Sequence, residues 1–210
     1  MAIIMNEHLD CGCQLGIWKI TEDFDTLLKN ITLTREELDT LERFTHAPRK
    51  IEWLSVRVLL KAMTDQELSI YYNGNRKPFI KENAYFISIS HSRDLTSILL
   101  SRDKKVGIDL EFMSHRIASI SHKFINENDL VTDDEEHKKY HLYIHWCAKE
   151  ALYKICDKQD INFKDNLTIE AFQPMEKGVI RGRVHNRARN ELFVMNYFSL
   201  GNYVVVYCCK

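Results

Sequence analysis

Three short stretches of this chain hold residues whose types and spacing could do chemistry. In Val106-Gly107-Ile108-Asp109-Leu110-Glu111, strand alternation puts Asp109 and Glu111 on one face and Ile108 and Leu110 on the other. Two carboxylates on one face repel unless a cation lies between them. Oxygen-only ligands suit a hard divalent ion such as magnesium, which takes one or two carboxylates, several waters and phosphate oxygens. Taken alone, the hexapeptide reads better as an amphipathic edge strand with its charges in water. In Trp146-Cys147-Ala148-Lys149-Glu150-Ala151-Leu152-Tyr153-Lys154, Glu150 and Lys154 lie four apart and share a helix face. Alone, they amount to a surface ion pair contributing about a few tenths of a kcal/mol. Ile87-Ser88-Ile89-Ser90-His91-Ser92 puts an imidazole and hydroxyls where a strand gives way to a turn, and such groups together with turn amides can hold phosphate oxygens. A single turn histidine is more often merely solvated.

The elements that must position these residues are readable in outline. Between Thr34 and Met63, Leu38, Leu41, Phe44, Ile51, Leu54, Val58 and Leu59 recur at helical spacing, and Pro48 divides them into two helices. Thr34-Arg35-Glu36-Glu37 has the form of a capping box, which predicts a helix start there. Tyr85 to Ser90 and Thr96 to Leu100 read as adjacent strands around His91-Ser92-Arg93-Asp94, and Val106 to Phe112 as a third. The acidic run Asp133-Asp134-Glu135-Glu136 precedes a helix through His141 to Ile155. Phe193 to Leu200, a Gly201-Asn202 turn and Tyr203 to Cys208 form a closing hairpin. Each half thus offers a helical stretch followed by a strand pair, so two similar lobes are expected. With three prolines, seven glycines and no Ser/Gly/Pro-rich tract, no flexible linker divides them.

Composition narrows the classes. At 210 residues and 45% hydrophobic, the chain can bury a real core, and its net charge of −1 speaks against a strongly basic nucleic-acid binder while leaving room for a local basic patch. No stretch approaches the roughly 20 apolar residues of a membrane helix, and Met1 to Asp10 lack the basic and apolar pattern of a signal peptide, so a cytoplasmic protein is expected. Cys11, Cys13, Cys147, Cys156, Cys208 and Cys209 lack CxxC spacing and read as reduced, mostly buried thiols, with a zinc-structured interaction module as the sharper alternative.

The order of the motifs changes the odds on each. Arg49-Lys50-Ile51-Glu52-Trp53-Leu54-Ser55-Val56-Arg57, Lys77-Pro78, Ser90-His91-Ser92, Gly107-Ile108-Asp109-Leu110-Glu111 and Trp146 to Lys154 follow one another as they do in the 4'-phosphopantetheinyl transferase superfamily, which the sequence resembles from about Arg49 to Lys154. With all the upstream motifs present, it is similar to the two-lobed, surfactin-type members rather than the short trimeric ones. The resemblance implies an α+β fold of two similar lobes related by a pseudo-twofold, each with a small antiparallel sheet and packed helices. Residues 1–105 would carry the coenzyme A motifs and residues 106–210 the metal and catalytic motifs, with the active cleft between them. It implies transfer of 4'-phosphopantetheine from coenzyme A to a serine of an apo acyl, peptidyl or polyketide carrier protein, with magnesium as cofactor, 3',5'-ADP as leaving group, no nucleic-acid or membrane partner, and a monomer.

Residue by residue, the resemblance assigns Asp109, Glu111 and Glu150 to the metal, Glu150 and Lys154 to catalysis, and Arg49, Lys77, Ser90, His91 and Lys154 to coenzyme A. Arg57 is a weaker candidate that could be structural. Cys147 and Ala151 stand where serine or threonine, and serine, are common, and neither departure removes a ligand. The first forty residues match nothing assignable, leaving the basic residues for the coenzyme's 3'-phosphate unidentified. A non-catalytic coenzyme A or carrier-protein binding module on the same fold is the alternative.

Overall fold

In the computed structural model, which describes residues 3–81, 84–157, 160–187 and 190–210, the chain divides into two units, Met1–Lys104 and Lys105–Lys210. The first unit runs β1 (Ile3–His8), β2 (Gln14–Lys19), α1 (Phe24–Lys29), α2 (Arg35–Arg43), α3 (Ala47–Thr64), β3 (Ile70–Tyr72), β4 (Pro78–Ile80), β5 (Phe86–Ser92) and β6 (Leu95–Ser101). Its four-stranded antiparallel sheet has the order β1-β2-β6-β5, and β3 and β4 form a separate ribbon. The Thr34/Glu37 capping box starts α2 as expected, and Pro48 sits in the first turn of α3, where its missing N–H costs nothing. Trp53, Leu54, Leu59 and Leu60 of α3 bury against Trp18, Ile98 and Leu100 to make the core of this unit.

Two expectations need correction here. His91 does not begin a turn: β5 continues to Ser92, His91 pairs with Thr96, and only Arg93 and Asp94 turn the chain, with Arg93 taking a positive φ of 52°. The first forty residues, which matched no family motif, supply two strands, a helix and the start of α2. In β2, Leu15, Gly16, Ile17 and Trp18 are all buried, so both faces are covered and the alternation that would announce a strand is lost.

The second unit contains β7 (Val106–Phe112), α4 (Ile117–Ile120), α5 (Glu135–Ile155), β8 (Leu167–Ile169), β9 (Lys177–His185), β10 (Asn190–Leu200) and β11 (Tyr203–Cys209). The sheet is antiparallel throughout, with strand order β7-β11-β10-β9-β8. The acidic run belongs to α5 itself. Asp134 caps the helix by accepting from Glu136 N–H, and Glu135 and Glu136 sit at its positive end. Gly201 takes the positive φ, 57°, that the two-residue β10–β11 turn requires. Ala148, Ala151, Leu152 and Ile155 of α5 pack on Val204, Val206, Met195 and Phe193 of the sheet. The fold is thus mixed, with helices on antiparallel sheets, and each unit has more strands than were read from its sequence. Among the described residues no helix is long and apolar enough to cross a membrane.

Candidate active site

The second unit brings its carboxylates together through one close approach. At Gly107, an added Cβ would lie 2.2 Å from the carbonyl oxygen of Ala151 and 3.1 Å from Cβ of Ile155, so only glycine lets α5 settle this near β7. Residues 107, 109 and 111 alternate onto that helix-facing side. Asp109, 3% exposed, receives the Lys154 ammonium at 2.7 Å on Oδ1, and the same ammonium donates to the Ile108 carbonyl at 2.9 Å. Glu111 follows Asp109 on the same strand face and is half-buried. Glu150, also half-buried, lies one turn before Lys154 on the helix above.

Cys147 shows how closely these charges gather. Its thiol is fully buried and is pushed well above the usual range, first by burial and then by the negative charges of Asp109 and Glu111, so it stays a protonated donor, hydrogen-bonded to Asp109. Carboxylates are hard-oxygen donors suited to a divalent cation, and of these Asp109 already accepts a cationic group, the Lys154 ammonium.

A second polar cluster, not foreseen from sequence, fastens the other side of α5. Lys149, fully buried, donates to Asp129 and to the Phe124 carbonyl at 2.6 Å. Asp129 also accepts from Asn126 N–H at 3.0 Å and Ile169 N–H at 2.9 Å. His145 Nε2 bonds the Leu130 carbonyl at 3.3 Å, and its Nδ1 is 3.8 Å from Asp129. His141 Nδ1 accepts from Thr132 N–H at 3.1 Å, and Phe172 packs edge-on against His141 at 4.4 Å. Burial pulls both imidazoles down, His145 to about 4 against the opposing pull of Asp129, and pulls the Lys149 ammonium down as well. The available signal was His141-His145-Lys149, a polar stripe every four residues along an apolar helix. Their partner Asp129 lies in a loop that no periodicity marks.

In the first unit, Arg49 Nη1 lies 2.8 Å from His91 Nε2 and 3.1 Å from Glu52 Oε2, with Glu52 also 3.7 Å from His91 Nδ1. Arg49 thus donates to an unprotonated Nε2, leaving the proton on Nδ1 toward Glu52. A guanidinium and an imidazole at this separation on a half-open surface can both turn to an anion. Ser90, one residue earlier in β5 and therefore on the opposite sheet face, is buried, and its carbonyl accepts from Ser97 Oγ at 3.2 Å. Lys77 sits in the β3–β4 turn, where its N–H donates to Asn73 Oδ1 at 2.9 Å. Arg57 is structural: it is 4% exposed, bonds Glu37 at 2.9 Å and stacks on Trp53.

The second unit thus sets a carboxylate-bearing strand beneath a helix that carries Glu150 and Lys154. Residues 105–208, nearly the whole second unit, match the 4'-phosphopantetheinyl transferase superfamily. Over 121 residues it is 31% identical to the 4'-phosphopantetheinyl transferase AcpT of Escherichia coli O157:H7, an alignment covering 54% of this chain and 61% of that one. The AcpT of Escherichia coli strain K12 matches to the same extent. The chain therefore spans about three-fifths of the AcpT length. The 4'-phosphopantetheinyl transferase HetI of Nostoc sp. strain PCC 7120 is 23% identical over 160 residues, covering 67% of this chain and 68% of HetI.

Proposed function

We propose that this protein is a two-lobed, surfactin-type 4'-phosphopantetheinyl transferase that moves phosphopantetheine from coenzyme A to a serine hydroxyl of an apo acyl, peptidyl or polyketide carrier protein. The observation that carries the reading is the meeting of Asp109 and Lys154 across β7 and α5, with Glu111 and Glu150 on the same two facing surfaces. The family match and the transferases AcpT and HetI support it independently. The reading carries with it a monomer working in the cytoplasm.

Asp109, Glu111 and Glu150 would hold magnesium, which when bound neutralises diphosphate charge. The chain's own residues do the rest. The serine oxygen forms a bond to the β-phosphorus as the bond from that phosphorus to the bridging oxygen breaks, releasing 3',5'-ADP. Glu150 takes the serine proton, directly or through a water, and Lys154 stabilises charge on the diphosphate oxygens. Arg49 and His91 grip coenzyme phosphates, for which Arg49 can exchange its bond to His91. Lys77 serves the nucleotide end, and Ser90, buried on the other face of β5, supports the strand that presents His91.

The test is to incubate the protein with coenzyme A, magnesium and a panel of apo fatty-acid, polyketide and peptide-synthetase carriers, and to read intact masses. One added phosphopantetheine on the serine of at least one carrier is expected. Binding of coenzyme A with no mass gain on any carrier would make the protein a non-catalytic binding module instead.

A further inference from the structure

The two lysines of α5 tie the helix to opposite edges of one sheet. Lys154 reaches Asp109 on β7, the first strand in the order β7-β11-β10-β9-β8. Lys149 reaches Asp129, and Asp129 accepts the N–H of Ile169 on β8, the last strand, at 2.9 Å. Between these ties the helix rests on the sheet through Cys147, Ala148, Ala151, Leu152 and Ile155. Apolar burial is non-directional, so it holds α5 down and leaves directional contacts to fix its angle about its own axis. A directional ion pair with no water around it does fix that angle: Lys149 and Asp129 are wholly buried, Asp129 is itself held by the N–H groups of Asn126 and Ile169, and Lys149 also donates to the Phe124 carbonyl.

We infer that Asp129 and Lys149 are positioning residues for Glu150, the next residue along the helix. With both edge ties made, the angle of α5 is set, and Glu150 is held on the same side as Asp109 and Glu111. With only the β7 tie, the helix can roll, and a roll moves Glu150 relative to the two strand carboxylates while Lys154, long and flexible, keeps its bond. This inference rests on the metal site proposed above, and it predicts a loss of metal affinity that stability does not explain. Outer residues that orient metal ligands typically change affinity about 10–100-fold.

The experiment replaces the pair rather than breaking it. Asp129→Asn with Lys149→Met removes both charges, keeps an acceptor for Ile169 N–H and leaves no buried ion alone, a change that is often neutral for stability. Magnesium is titrated by calorimetry into wild type and double variant, each saturated with coenzyme A, beside thermal unfolding of both. The expected result is a near-native melting temperature with magnesium affinity at least about tenfold weaker. Native affinity in the folded double variant overturns the inference. If the double variant does not fold, Asp129→Glu serves. It keeps the charge pair but lengthens one arm by a methylene, and it should weaken magnesium binding by a comparable factor, whereas unchanged affinity overturns the inference. Wild type that binds no magnesium with coenzyme A present would bring down the proposed function as well, which separates the two failures.

Discussion

Lys149 and Lys154 leave the same helix five residues apart, and each meets an aspartate, yet the two pairs are built for different work. The Lys149–Asp129 pair is sealed, with both side chains 0% exposed and the aspartate also accepting two backbone N–H groups. The Lys154–Asp109 pair is 20% and 5% exposed, on the strand that carries Glu111 and the helix that carries Glu150. A sealed pair cannot trade its partner without stranding a charge in the core, so it serves as a fastening. A pair at the edge of solvent, with further carboxylates on the same strand and helix, can release its lysine to a phosphate and accept a metal ion in its place. The chemistry of the contact is the same in both, and the access differs.

Breaking the sealed pair should have the largest effect. Asp129→Ala leaves the Lys149 ammonium buried alone, at a cost of about 3–5 kcal/mol in urea or thermal unfolding. Next comes acid. His141 and His145 lie beside the same pair with folded pKa values below their ordinary one, His145 at about 4. The folded state therefore binds fewer protons than the unfolded chain between about pH 6.5 and pH 4, and stability is lost as pH falls through that window. His145 alone accounts for roughly 2–3 kcal/mol, and His145→Phe should flatten this part of the pH–stability curve. A wild-type curve with no slope there would mean that the imidazoles are not held neutral. Lys154→Met should have a smaller effect on folding than Asp129→Ala, because its pair is partly solvated. It should nevertheless remove most transfer activity, and a variant with normal turnover would take Lys154 out of the site.

The comparison also marks where the sequence could be read and where it could not. The alternation of Val106 to Phe112, the capping box at Thr34 and the Gly201-Asn202 turn are local signals, and the strand, helix start and hairpin they predicted are present. β2 and β8 escaped notice because they are buried on both faces or short, and β1 because its residues are mostly exposed, so that no apolar alternation marks it. Glu150 and Lys154 could be placed on one helix face from spacing alone, but the meeting of Lys154 with Asp109, 45 residues away, is fixed by how closely Gly107 lets the helix approach. Asp129 was illegible for the same reason. An isolated aspartate in a loop becomes a helix anchor only once tertiary packing brings Lys149 to it. Arg57, offered by its place in a basic helix motif as a weaker candidate that could be structural, is core, buried against Glu37 and Trp53.

The central claim is that the open carboxylate pair, not merely the fold, performs transfer, and Asp109→Asn tests it most directly. The substitution keeps size and hydrogen-bonding shape while removing the charge that faces Lys154 and would face the metal. In a single-turnover reaction with coenzyme A, saturating magnesium and the carrier that wild type modifies, intact-mass spectrometry should show one phosphopantetheine added by wild type. A folded Asp109→Asn protein should add none on the same timescale. Near-native transfer by Asp109→Asn would contradict the account and place the chemistry elsewhere in the molecule.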